Sequence, residues 1–208
     1  FLTYASFADW KTREVSNKVW LAMGSAGFLL LAVQLVIEGS VEHMLLLAPA
    51  ALLFYDIFWD RDELYDTEKK KLHLPALGLY ALVVALLAAG YYWVGVGWLS
   101  VQLFGVTGMI ILGVVFFYTG VLHGGADAKA FASIGILVPF YPVLGSLPLF
   151  QTPALLGLGF PFALATLMNA ALMLLAVPLV LLLYNATRGD AKFPQCAFGY
   201  TMELDRVE

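Results

Sequence analysis

The sequence contains one cysteine, Cys196, three histidines and only 12% charged residues in 208 positions. A lone cysteine excludes a disulfide scaffold and a four-cysteine zinc module. Soluble domains carry about a quarter charged residues, so the scarcity of charge is itself a signal. Basic residues are few as well: 11 Lys and Arg against 15 Asp and Glu leave a formal net charge of −4. That balance argues against a nucleic-acid partner, which needs a basic face. What is abundant is apolar: 62% of residues are hydrophobic and the mean hydropathy is +0.86. A compact soluble domain of this length cannot hide so much apolar surface. The solvent for most of this chain is a lipid bilayer.

A helix needs roughly 20 apolar residues to cross a hydrocarbon core of ~30 Å. Apolar stretches run over about 18–37, 41–59, 74–98, 101–122, 130–150 and 161–184. They are continuous rather than alternating, which selects helices over barrel strands. The expectation is an all-α polytopic helical bundle with about six spans. Pro139, Pro142 and Pro148 should kink the fifth. Phe1–Ala8 is apolar but too short to span and reads as the end of a truncated first helix. Residues 1–184 then form the membrane-embedded domain and 185–208 a cytoplasmic tail.

The loops test this topology. With alternating spans, all eleven basic residues fall on one side, within 9–17, 60–73, 123–129 and 185–208. The intervening loops at 38–40, 99–100 and 151–160 hold none, so the positive-inside rule places the basic side in the cytoplasm. The expected location is the cell membrane with any active site facing the cytoplasm. Trp10, Trp20, Trp59, Trp93 and Trp98 sit near span ends, where interfacial aromatics gather.

Charges close to a membrane helix are costly and call for an explanation. Asp9, Asp56 and Asp127 all lie at the basic ends of spans. Asp127 follows His123-Gly124-Gly125-Ala126 and precedes Ala128-Lys129. Such small residues permit unusual backbone angles and let an extended peptide approach; the other reading is a turn whose Asp caps the next helix. Asp9 opens Asp9-Trp10-Lys11-Thr12-Arg13-Glu14-Val15-Ser16-Asn17, and its other reading is an interfacial charge. Four spans separate Asp9 from Asp127, an even number, so both return to the same face. Two carboxylates held together share a proton, one serving as acid and the other as base, the device by which aspartic proteases hydrolyse amides. Such a pair titrates as one coupled unit.

The Asp9–Asn17 segment resembles the first aspartate motif of type IV prepilin and preflagellin peptidases, where an Asp precedes a basic, polar stretch ending in Ile-Pro-Asn. Gly124-Gly125-Ala126-Asp127-Ala128-Lys129 resembles their second motif, Gly-x-Gly-Asp followed by Lys. The run from Pro161 to Asp190 is similar to the late spans of archaeal members, and Gly199-Tyr200 to the start of their tail. The resemblance implies a membrane aspartyl endopeptidase with Asp9 and Asp127 as the catalytic pair. Gly124, Gly125, Ala126 and Lys129 would shape the substrate-binding strip beside it. It further implies prepilin or prearchaellin precursors as partners, cut after a short basic leader, with no metal and no organic cofactor. Acids of the 60–68 loop would attract that leader, so specificity should weaken as salt rises. Here Ala126 replaces a motif glycine, Val15-Ser16 replaces Ile-Pro, and four spans rather than two separate the aspartates. A single cysteine and no cysteine-rich insertion set the chain apart from members that also methylate.

Beside a non-catalytic assembly factor that merely binds pilin helices, two alternatives stay open. Tyr55-Asp56 resembles the Tyr-Asp of presenilin and signal peptide peptidases, and two spans separate Asp56 from Asp127. Yet Pro75-Ala76-Leu77 lies before Asp127, where those proteases place such a motif after it. Asp56 otherwise reads as a structural anchor or a partner of Arg61. A transporter or channel using Asp56 or Asp127 as a proton or cation site is the other alternative. His123 could tune protonation near the glycines.

Overall fold

The computed structural model describes residues 1–59, 65–66, 71–72, 74–122, 124–139, 161–189 and 194–199. Two compact units emerge, Phe1–Leu164 and Ala165–Glu208. Among the described residues the protein is all-α apart from a two-residue antiparallel pairing, β1 (Tyr65–Asp66) with β2 (Lys71–Leu72).

The first unit opens with α1 (Leu2–Thr12) and α2 (Asn17–Ile37). Between them the chain reverses in four residues. Arg13 takes the left-handed conformation at φ 57°, and its N–H closes onto the Asp9 carbonyl at 2.8 Å. A non-glycine residue adopts this region at a cost of about 1–2 kcal/mol. Ser16 then caps α2, its hydroxyl accepting from the Lys18 N–H at 3.4 Å.

The second apolar stretch starts as a 3₁₀ turn at Val41–Leu46 and continues as α3 (Leu47–Asp56). Proline explains the change. Pro49 lacks the N–H that an unbroken α-helix would donate to the Leu45 carbonyl, and its ring would strike that carbonyl. Tighter i→i+3 bonds, such as Leu47 N–H to the Met44 carbonyl, avoid the conflict. Six 3₁₀ and ten α residues make a rod of about 27 Å. Next come α4 (Leu74–Trp93), α5 (Trp98–Tyr118) and the shorter α6 (Gly125–Leu137). At thirteen residues α6 is about 20 Å long; residues 140–160, with Pro142 and Pro148, lie outside the described residues. Beyond them are α7 (Phe162–Leu174) and α8 (Ala176–Thr187).

Among the described residues four helices are long and apolar enough to cross a membrane: Asn17–Ile37, Leu74–Trp93, Trp98–Tyr118 and the joined stretch Phe162–Thr187. The expected spans at 18–37, 74–98, 101–122 and 161–184 therefore have helices to match. The stretches at 41–59 and 130–150 do not reach that length as single described helices.

Lipid is as apolar as leucine, so helices here are held by close packing rather than by exclusion from water. Small residues accordingly sit at the crossings. Gly24 lies beneath the Phe54 ring: a methyl there would come within 2.2 Å of its Cζ. Gly27 lies against the backbone of α6, where a methyl would be 2.9 Å from both N and Cα of Leu137. Around these crossings α2, α3, α5 and α6 bury Leu31, Leu35, Ala50, Phe54, Leu103, Ile110 and Ile136. Outward-facing Leu29, Leu30, Val33, Leu82 and Val84 stay exposed, as a lipid-facing surface requires.

In the second unit nearly every residue from Ala165 to Thr187 is exposed or half-buried. Its firmest polar feature is Asn185, only 2% exposed, whose amide donates to the carbonyls of Cys196 at 2.8 Å and Gly199 at 2.7 Å.

Candidate functional site

The two aspartate motifs lie 112 residues apart and meet in space. Asn17, which closes the first, accepts a hydrogen bond from the Lys129 ammonium, which closes the second, at 2.9 Å. The same ammonium sits 5.4 Å from the centre of the Phe58 ring, just past the end of α3. One turn further along both helices the Ser133 hydroxyl donates to the Trp20 carbonyl at 3.2 Å, and also to the Lys129 carbonyl at 2.7 Å. Together with the Gly27 crossing, these bonds hold α2 and α6 side by side from their polar ends inward.

A second cluster gathers where α1 joins them. Ala5, Trp20 and Met23 are buried together, flanked by Val19, Phe58, Ala130 and Ile134. Ala5 precedes Asp9 by four residues and Ala130 follows Asp127 by three, so each aspartate shares a helical face with a cluster residue. Asp9 near the end of α1 and Asp127 in the first turn of α6 thus belong to the same end of the bundle. Both carboxylates are exposed, and neither is hydrogen-bonded to the other.

Asp127 is the third residue of α6, and Gly124 rather than Asp127 is the N-cap. A carboxylate in the first turn is favoured by the helix dipole. The glycines permit unusual backbone angles. Yet Gly124 has an ordinary extended backbone, φ −104° and ψ 132°. What it supplies is room: a Cβ on Gly124 would stand 2.8 Å from Asp127 Oδ2. The carboxylate folds back over the glycine into space that a side chain would occupy. Gly125 is less confined, its notional Cβ meeting only the Phe117 ring at 3.8 Å. Ala126 is half-buried between Gly125 and the carboxylate.

Asp56 is placed differently. Its Oδ2 accepts from the Tyr80 hydroxyl of α4 at 3.2 Å, while neighbouring Tyr55 shares a 2.8 Å hydrogen bond with Ser25 of α2. It borders a cavity of about 810 Å³ lined by Ala51, Leu52, Trp59, Pro75 and Leu79. Arg61, His123 and the acidic loop at 60–64 and 67–70 lie outside the described residues. Among the described residues no three His, Cys, Asp or Glu side chains gather as a metal site would need.

One of the five tryptophans is covered by neighbouring helices. Trp10, Trp59, Trp93 and Trp98 are exposed, but Trp20 is 4% exposed. Packing of α6 and α1 over the start of α2 covers it. The position of Trp20 along its span is readable from the sequence, whereas the face that α6 covers is not.

Comparison with protein-family models, with curated proteins and with solved structures finds no match.

Proposed function

We propose that the protein is a membrane aspartyl endopeptidase that removes the short basic leader of prepilin- or prearchaellin-like precursors at the cytoplasmic face. The observation that carries this reading is the Asn17–Lys129 hydrogen bond. It joins two segments singled out independently by their resemblance to the family's two motifs. In this reading residues 41–56 and the α6 region also cross the bilayer, which makes six spans and sets Asp9 and Asp127 on one side.

The chemistry follows from two carboxylates brought around one peptide bond. The ionised member takes a proton from water as its oxygen attacks the carbonyl carbon. The protonated member hydrogen-bonds the carbonyl oxygen as negative charge grows there. Collapse of the tetrahedral intermediate breaks the C–N bond, and a proton passes to the leaving amine. In a substrate-free state the two acids need not touch, because such contacts tighten in the substrate complex. The Tyr80 hydrogen bond supports the anchor role for Asp56 rather than a place in the pair.

The test uses a precursor with a short basic leader ahead of an apolar helix, reconstituted with the enzyme in liposomes. Asp9→Asn and Asp127→Asn, each checked for folding, should lose cleavage by about a thousandfold or more, and Asp56→Asn should retain it. Loss with Asp56→Asn and Asp127→Asn, but not Asp9→Asn, would move the site to the presenilin-like pair. A folded wild type that cleaves no such precursor would overturn the peptidase reading in favour of transport.

A further inference from the structure

Among the described residues three buried polar atoms have no hydrogen-bond partner: Trp20 Nε1, His43 Nδ1 and Thr107 Oγ1. Two have ready local explanations. His43 Nδ1 lies 3.2 Å from the Glu42 carboxylate. A threonine hydroxyl in a helix can turn to a carbonyl of its own preceding turn. The indole N–H has no such recourse, since a tryptophan ring cannot fold back onto its own helix carbonyls. A donor left unmatched in a buried site carries a real desolvation cost, which a phenyl ring in its place would avoid.

Its location is specific. Asn17, Asp9 and Asp127 each lie about one helical turn nearer the polar end of the bundle than Trp20, Ala5 and Ala130 respectively. Those three inner residues belong to one cluster with Trp20 in its buried centre. The backbone of Trp20 is tied to α6 through Ser133, so the ring is held while its donor is unmatched. The cover on the α1 side is slight: Ala5 is the buried residue of that helix.

We propose that the Trp20 indole N–H is a substrate-binding donor, reserved for a main-chain carbonyl of a precursor segment that takes the place of α1 against it. This rests on the peptidase reading and adds a residue that neither motif contains. A peptide drawn out for hydrolysis carries carbonyls that lose water on entering the membrane edge. A donor already desolvated and fixed meets one of them at little further cost.

The experiment measures precursor cleavage in liposomes and thermal unfolding side by side. Trp20→Phe keeps an aromatic ring and removes the N–H. A second variant carries the benzothienyl isostere of tryptophan at position 20, which keeps the volume as well. Thr107→Val removes another unmatched donor, away from the motifs, as the control. Both Trp20 variants should lower kcat/KM about tenfold, carried mainly by KM, and the isostere should unfold at or above the wild-type temperature. Thr107→Val should leave cleavage unchanged. Wild-type kcat/KM in the isostere variant would overturn the proposal, as would loss of activity in proportion to loss of stability. An inactive folded wild type would instead overturn the peptidase reading itself.

Discussion

Replacing Gly27 by alanine tests whether the α2–α6 crossing sets the geometry of the site. The new Cβ would lie 2.9 Å from N and Cα of Leu137 and 3.0 Å from the Ile136 carbonyl carbon. Carbon atoms settle at about 3.5–4.0 Å, so the helices must part locally by roughly half an ångström or more. These neighbours are backbone, so no side chain can swing aside. Overpacking of this kind costs about 1–3 kcal/mol. For a chain of this size that lowers the unfolding temperature by about 2–4 °C per kcal/mol. Parting the helices also strains the Asn17–Lys129 bond, and a misplacement approaching 1 Å can cost about a hundredfold in rate. We expect Gly27→Ala to unfold several degrees early and to cleave precursor roughly ten- to a hundredfold more slowly. Gly78→Ala in α4 and Gly105→Ala in α5 are the controls, because a methyl at either meets nothing within 4 Å. They should match the wild type or gain about 0.5–1 kcal/mol from reduced backbone freedom. A Gly27→Ala protein as stable and active as the Gly78→Ala control would refute the argument that this contact positions α6.

Two further outcomes follow from the same geometry. Gly124→Ala places a methyl 2.8 Å from Asp127 Oδ2. That oxygen is the end of a flexible side chain, so stability should change by less than about 1 kcal/mol while cleavage falls, and unchanged cleavage would separate the carboxylate's rotamer from function. For the pair Asn17 and Lys129, a double-mutant cycle with Asn17→Ala and Lys129→Met should return a coupling of about 0.5–1 kcal/mol in unfolding. The bond is exposed, so the charged donor is largely screened, and additive effects would show that it does not hold the motifs together.

Several features were legible without a structure because the bilayer imposes them. A helix must satisfy its own backbone bonds in lipid, so long uninterrupted apolar runs became α2, α4, α5 and the α7–α8 stretch. At 41–59 the same requirement is met in two pieces, a 3₁₀ turn and a ten-residue helix with Pro49 in its first turn. Asp9 and Asp127 could be named as candidates because charge at a span end is expensive, and Lys129 through the resemblance of its segment to the second motif. Which of them touch was not readable. A hydrogen bond across 112 residues depends on how α6 docks on α2, and no local spacing encodes that.

Tertiary packing alone decided three matters. It gave Gly124 a steric reason in place of a conformational one, because only the folded carboxylate shows which space is taken. It covered Trp20 and left its indole donor buried and unmatched. And it bonded Asp56 to Tyr80. The sequence by itself determined that the chain is helical and lipid-embedded and where its candidate acids lie, since hydropathy and charge act residue by residue. The helix faces that meet depend on shape matching between segments distant in the chain, a property of pairs of surfaces that no single segment carries.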